Sequence, residues 1–593
     1  MQIKNSIDPR TPNLSRRSFV QRSMGTAALA VWSPVFSVLP ASAAVTCAPP
    51  PNFPAGLPLY QQAFSNWSGE IQIEALWTTT PSVPEDVVTL ANWAATNGYR
   101  LRPKGMSHNW SPLTVAKGSQ CDTHVVLVDT TRFLTSIRID NAASTVTAQT
   151  GITMENLLSR LEESNFGLTA TPAPGDLTLG GVLAIDGHGT AVPAQGEKQA
   201  KGHTFGSVSN LIVSLTAVVW SNKSNQYTLK TFKRNSPAIR PLLVHVGRAF
   251  IVEVELRVGE NQRLRCQSIT NVPASNLFAP KGTAGNTMEK YLNETGRVEA
   301  IWFPFTENPW LKVWSVTPNK PAESREVRAP FNYPFSDSID KSVSDMLNLI
   351  IGGASWLTPA FGQLQKSIVD LGLGLTNSAD LWGWSKNLLL YIRPTTLRVT
   401  ANGYAILCSR NSVQKVINDF YVKYLGQVEQ YKSQGRYPMN GPVEIRVTGL
   451  DYNQDAEVDG AVTAQLSALR PRPDRPEWDT AVWLDILSIP GTPFANQFYR
   501  EMEQWVFSNY SGNYADVRVE WSKGWGYTID APWTSQTTIK RRIPESLTTG
   551  QATEKGFGSA VDQLNQLDPF RIYSSPLLDA VFPAKNNTGG SFT

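Results

Sequence analysis

Along the first half of the chain the spacing of apolar residues changes repeatedly, and each change marks an element. Gln72 to Trp77 reads as a short strand, followed by a turn carrying Pro81 and Pro84. Val87, Val88, Leu90, Ala91 and Ala94 then recur near helical spacing. Glu85 and Asp86 put negative charge where a helix N-terminus favours it, and Asn97-Gly98 supplies the stop. Tyr99 to Pro103 is a second strand, so the region opens as a βαβ unit. The unbroken apolar run Val125-Val126-Leu127-Val128-Asp129 predicts a buried strand. Ser144 to Gly151 alternates as a strand, and Thr153 to Glu163 is helical. Leu211 to Trp220 and Phe250 to Val258 are further strands. The sum is an α+β domain ending near Glu260.

Between about 265 and 520 the texture changes. Aromatic clusters occur at Trp302-Phe303-Pro304-Phe305, Trp310 and Trp314. Met346 to Leu375 is apolar with glycines, and Asp380 to Ile392 holds Trp382 and Trp384. Such stretches serve as core helices, or as walls or a lid of an apolar cavity that touches membrane lipid. The tail from Lys585 has the composition of a disordered segment.

The N-terminus changes the reading of charge. Arg16-Arg17-Ser18-Phe19, an apolar stretch from Met24 to Leu39 and Ala41-Ser42-Ala43 make residues 1–43 an export signal, of the twin-arginine kind or an ordinary secretory one. This segment carries five basic groups and one acidic group, a net of +4, which equals the net charge of the whole chain. The mature protein is therefore near neutral and lacks the basic excess of a nucleic-acid binder. It is expected in the periplasm or outside the cell. Four cysteines are too few for a disulfide scaffold, and Cys47 reads as unmodified.

Phosphate-loop, zinc-helix and nucleophile-elbow motifs are absent from the sequence, as is G-x-G-x-x-G. The five histidines are scattered, so no metal site is expected. Two segments suit an anion and a flat ring. The first runs Arg102-Pro103-Lys104-Gly105-Met106-Ser107-His108-Asn109-Trp110, after a strand, with a glycine that lets backbone amides approach phosphates. The second contains Gly175, Asp176, Gly180, Gly181, Gly187 and Gly189. Any one of these glycines could simply serve a turn; two such loops after βαβ-like units point to a cofactor.

This pair resembles the FAD-binding domain of the vanillyl-alcohol oxidase flavoprotein family. The likeness runs from Glu70 to about Glu260 and includes the R-x-x-G-x-x-H loop and Gln149-Thr150-Gly151. It implies a two-domain fold, FAD held by both loops, and a covalent bond from His108 to the flavin; the alternative is a histidine that only lines the loop. Val298-Glu299-Ala300-Ile301-Trp302-Phe303-Pro304-Phe305, Val443-Glu444-Ile445-Arg446 and Glu520-Trp521-Ser522-Lys523-Gly524-Trp525 are similar to class II cholesterol oxidases, those with covalently bound FAD. The implied organisation is a FAD-binding domain over 44–262, a substrate domain with an antiparallel sheet and helices over 263–540, and a segment over 541–593 returning to the first domain.

The resemblance further implies oxidation of a 3β-hydroxysterol to the ketone, isomerisation to the 4-en-3-one, and reduction of dioxygen to hydrogen peroxide. Glu444 is the candidate base, and on a strand it faces the same way as Arg446. Arg446 could stabilise negative charge on reduced flavin. Glu299 supplies a second carboxylate, which in the resembling enzymes pairs with the arginine and gates a route for dioxygen. Without the resemblance, a surface ion pair would be the favoured reading of Glu444 and Arg446. Two other functions stay open: a same-family oxidase of a sugar, lactone or other alcohol, and a secreted sterol carrier without catalysis.

Overall fold

The computed structural model describes residues 47–335, 341–394 and 396–584. The export signal lies outside the described residues, as does the tail from Lys585.

The helix expected after Pro84 spans Pro84–Asn97 and buries Val87, Leu90, Ala91, Trp93 and Ala94. It ends where Gly98 turns left-handed at φ 71°, a conformation that costs glycine nothing. It leads into Arg100–Lys104, the edge of a four-stranded sheet ordered Leu59–Ser65, Gln72–Thr79, Val125–Asp129, Arg100–Lys104. The pairing of Arg100–Lys104 with Val125–Asp129 is parallel. A second, antiparallel sheet is ordered Ile137–Asp140, Thr145–Gln149, Phe250–Arg257, Ile212–Ser221, Gln226–Lys233. The helix Met154–Glu163 is capped by Thr153, whose side chain accepts from the Asn156 amide.

The other half is built on a nine-stranded sheet. Its order is Arg325–Val327, Asp380–Trp384, Arg263–Ile269, Trp310–Val316, Arg297–Trp302, Val443–Gly449, Thr480–Ser488, Thr400–Cys408, Ala515–Val519. All neighbours run antiparallel except the first pair. The apolar stretch read from Met346 to Leu375 forms the helices Lys341–Ile351 and Thr358–Leu375. Among the described residues no helix is long and apolar enough to cross a membrane.

Near its end the chain packs against the first half. The Ile572 carbonyl accepts from the Leu101 amide, and buried Asp568 accepts from Arg248 and from the Tyr227 hydroxyl. Cys47 and Cys121 are each in disulfide form, which corrects the reading of Cys47 as unmodified. Cys266 and Cys408 are buried free thiols.

Candidate functional site

A cavity of about 450 Å³ opens between the two glycine-bearing loops and the nine-stranded sheet. One wall is the loop after Arg100–Lys104, including Gly105, Met106, Ser107, His108 and Asn109. Gly180, Gly181 and Gly187 of the second loop also border it. The glycines let the loops meet closely. A Cβ on Gly105 would lie 2.2 Å from Thr178 Oγ1, and one on Gly180 would lie 2.9 Å from the Thr150 Cβ. A Cβ on Gly181 would meet only Thr178 Oγ1, at 3.3 Å, so its backbone stays open to the cavity.

His108 stacks on Trp67 with ring centroids 4.0 Å apart. Its Nδ1 is buried without a hydrogen-bond partner. Burial, reinforced by the Lys523 charge, pushes its pKa down to about 3, so the imidazole is neutral and has a lone pair to offer. An orphaned ring nitrogen and an open glycine backbone that line one cavity fit a flavin held by these loops.

Arg102 borders the cavity and also anchors its loop, whereas three other expected cofactor ligands lie off the cavity wall. The Arg102 guanidinium donates to the carbonyls of Leu113, Thr114, Gly247 and Tyr573, clamping the loop to the C-terminal segment. Gly175, Asp176 and Gly189 stand back from the cavity wall. Gly175 makes room for the Glu155 side chain, and Gly189 for the Thr171 backbone, where a Cβ would approach to 3.1 and 2.8 Å. Asp176 is half-buried beside Glu155, and burial raises its pKa.

On the sheet side of the same cavity stand the catalytic candidates. Glu444 and Arg446 share a face of Val443–Gly449, and Arg446 pairs in register with Glu299 on the neighbouring strand. All three reach the cavity. Arg446 lies 3.8 Å from Glu444 and is hydrogen-bonded to Asp485, which is fully buried on the next strand. This departs from the expected pairing of Glu299 with Arg446. Glu299 instead accepts from the Tyr391 hydroxyl at 2.5 Å, because Asp485 claims the guanidinium.

Burial raises the Glu444 pKa; Arg446 opposes the shift and Glu299 adds to it. Glu444 is thus a carboxylate drawn toward the protonating range, as a general base requires.

Asp485, Tyr391, His188, Glu520 and Lys523 also stand at the site, though no sequence motif gives them a role. Lys523 Nζ lies 3.6 Å from Asp485 and 4.1 Å from the centroid of the Trp110 ring. His188 stacks on Trp483 at 3.6 Å. Glu520 has its Oε2 buried without a partner, and burial, followed by the Asp485 charge, raises its pKa to about 8. Sequence signals existed: Asp485 interrupts an otherwise largely apolar strand, and Glu520 and Lys523 bracket a tryptophan motif.

The Glu520 shift has a stability consequence. A folded-state pKa raised above the unfolded value contributes stability that is full below the ordinary carboxyl range. It declines as pH climbs from there and is lost once pH has passed through about 8. Glu520→Gln is expected to flatten this decline, measured as the urea midpoint across pH.

The walls above the charged floor are apolar: Ile301, Phe303, Trp310, Val343, Ile368 and Val369. The cavity therefore takes a largely hydrophobic molecule and presents one polar end to Glu444 and Arg446.

A model of the cholesterol oxidase substrate-binding domain matches residues 263–583, and one of the FAD binding domain matches residues 77–212. A solvent-stable cholesterol oxidase is 57% identical, with TM-score 0.89 over 90% of this chain and 100% of that one. A cholesterol oxidase from Brevibacterium sterolicum is 45% identical, with TM-score 0.88 over 90% of this chain and 99% of that one. L-gulonolactone oxidase 3 from Arabidopsis thaliana is 24% identical over 28% of this chain, and the match spans only 26% of that protein's length.

Proposed function

The chain belongs to the cholesterol oxidase family, and from that premise we propose that it oxidises the 3β-hydroxyl of a sterol to the ketone with FAD and dioxygen. The observation that carries this reading is an apolar-walled cavity whose charged floor offers Glu444 beside Arg446. FAD, when bound, accepts hydride from the alcohol carbon and passes the electrons to dioxygen, giving hydrogen peroxide.

The protein's own residues do the rest. Glu444 takes the hydroxyl proton as the carbon–hydrogen bond breaks. Arg446, fixed by Asp485, holds that carboxylate in place and offers positive charge where negative charge develops. Gly181 leaves room for the pyrophosphate, and His108 supplies the nitrogen for a covalent bond to the flavin. The apolar walls exclude water, which strengthens these electrostatic interactions. Isomerisation to the 4-en-3-one needs a carboxylate that returns a proton to the ring, and Glu444 and Glu299 both border the cavity. Movement of Glu299 toward Arg446 would gate the route for dioxygen.

The reading extends to the membrane. The helices whose Val343, Ile368 and Val369 wall the cavity expose Leu349, Ile351, Leu371 and Leu375 on their outer side, with Trp356 between them 65% exposed. Such a patch suits brief contact with a lipid surface from which a sterol enters. Replacing Trp356, Leu371 and Leu375 together by Ser is expected to slow oxidation of sterol in vesicles about tenfold. Oxidation of detergent-solubilised sterol should be unchanged, and initial rates on both substrates check this. Export through the twin-arginine route accords with Arg16-Arg17 and with disulfide-bonded Cys47 and Cys121, since disulfides persist in oxidising compartments. Cell fractionation with Arg16 and Arg17 replaced by Lys tests it: the protein should stay in the cytoplasm.

A further inference from the structure

Lys312 is wholly buried, and its Nζ has no hydrogen-bond partner. It lies between Trp310 and Trp314 on the face of its strand that also carries Trp310 to the cavity wall. Its ammonium sits 3.5 Å from the ring centroid of Tyr391 and 3.9 Å from that of Tyr333, with Trp310 and Trp314 at 5.1 and 5.2 Å. An aromatic cage of this kind stabilises a cation through the electron-rich ring faces. Burial alone would favour the neutral amine and pulls the pKa down to about 8, while the nearby Cys266 and Glu299 oppose that shift.

The register explains what a cation does there. Ser268, Lys312, Glu299, Arg446 and Trp483 lie side by side across five adjacent strands. Glu299 is therefore flanked by two cations. Arg446 is committed to Asp485 and lies near Glu444, and Lys523 is also drawn to Asp485. Among the described residues neither forms an ion pair with Glu299. The remaining cation in the row is Lys312, and Tyr391 connects the two: its ring receives the ammonium and its hydroxyl donates to Glu299. A cation on a phenol ring draws electron density from the oxygen and strengthens the O–H as a donor.

We propose that Lys312 is a positioning residue of the sterol site, which acts through the Tyr391 ring to fix the Tyr391–Glu299 hydrogen bond and to supply the counter-charge that Glu299 lacks while Arg446 is bound to Asp485. The proposal rests on the reading that Glu299 works in sterol turnover. Lys312 does not border the cavity, so it touches neither substrate nor cofactor. Its cost is that of an ammonium taken from water without a hydrogen-bonding partner, and packing alone does not demand it.

The test uses the flavin-loaded enzyme and the variants Lys312→Met, Lys312→Arg and Lys312→Met with Glu299→Gln. Methionine fills a similar volume and suits an aromatic cage. Infrared spectra near neutral pH are expected to show the carbonyl stretch of a protonated carboxyl in Lys312→Met beyond any in the unmodified enzyme. The added band should vanish in the double variant and be absent from Lys312→Arg. In steady state Lys312→Met should lose about tenfold in kcat with little change in KM, in line with weakened proton handling rather than lost binding.

A folded, flavin-loaded Lys312→Met protein without the Glu299-dependent band overturns the proposal, and a lysine with a merely structural role would give that result with a lowered Tm. Should Lys312→Met fail to fold, Lys312→Gln makes the same comparison. If the band appears while Glu299→Gln alone turns over sterol normally, the positioning stands and the assignment of Glu299 to turnover falls.

Discussion

Glu444→Gln is expected to lower kcat for sterol oxidation by about 10² to 10⁴-fold, the range that a positioned general base supplies, while FAD stays bound. The amide keeps the shape of the side chain but cannot take the hydroxyl proton. The pH profile supplies an independent reading. Burial raises the Glu444 pKa, and the active form is the carboxylate, so kcat/KM should rise as pH increases through that raised value. The variant should lose this acid limb. Normal turnover by Glu444→Gln would remove Glu444 from the role of base.

His108→Ala is expected to abolish covalent flavin altogether, with FAD still held by the two loops and activity reduced. The neutral ring with its orphaned Nδ1 is the proposed attachment point among the loop residues, and alanine offers no nucleophile. Acid precipitation checks this directly. Yellow colour should remain with the precipitate of the unmodified enzyme and pass into the supernatant for the variant. Colour retained by the variant's precipitate would place the bond elsewhere.

Much of the FAD-binding half could be read along the chain because its signals are local. Val125–Asp129 is an unbroken apolar run, and Pro84–Asn97 carries its own start and stop in Glu85, Asp86 and Gly98. The nine-stranded sheet was not legible in this way. Its pairing joins Glu299 to Arg446 and Cys266 to Leu381, partners set by tertiary packing rather than by spacing.

The site divides in the same manner. Glu444 and Arg446 could be placed on one face by strand periodicity, but nothing local revealed that Asp485 would take the arginine and leave Glu299 to Tyr391. Arg102 beside a glycine loop suggested an anion ligand. It borders the cavity, and it also donates to the carbonyl of Tyr573 at the distant end of the chain, a contact no local pattern signals. Asp485 and Lys312 did carry a sequence signal. Each is a charged residue within a strand of mostly apolar neighbours, and burying such a charge demands a partner or a purpose.

The decisive measurement is oxygen uptake by the purified flavin-loaded enzyme, with a 3β-hydroxysterol set against a sugar and an aldonolactone. Uptake is expected with the sterol, with one hydrogen peroxide formed per ketone, and none with the polar alcohols. Rapid oxidation of the sugar or lactone, with the sterol left untouched, would rule out sterol oxidation as the activity of this site.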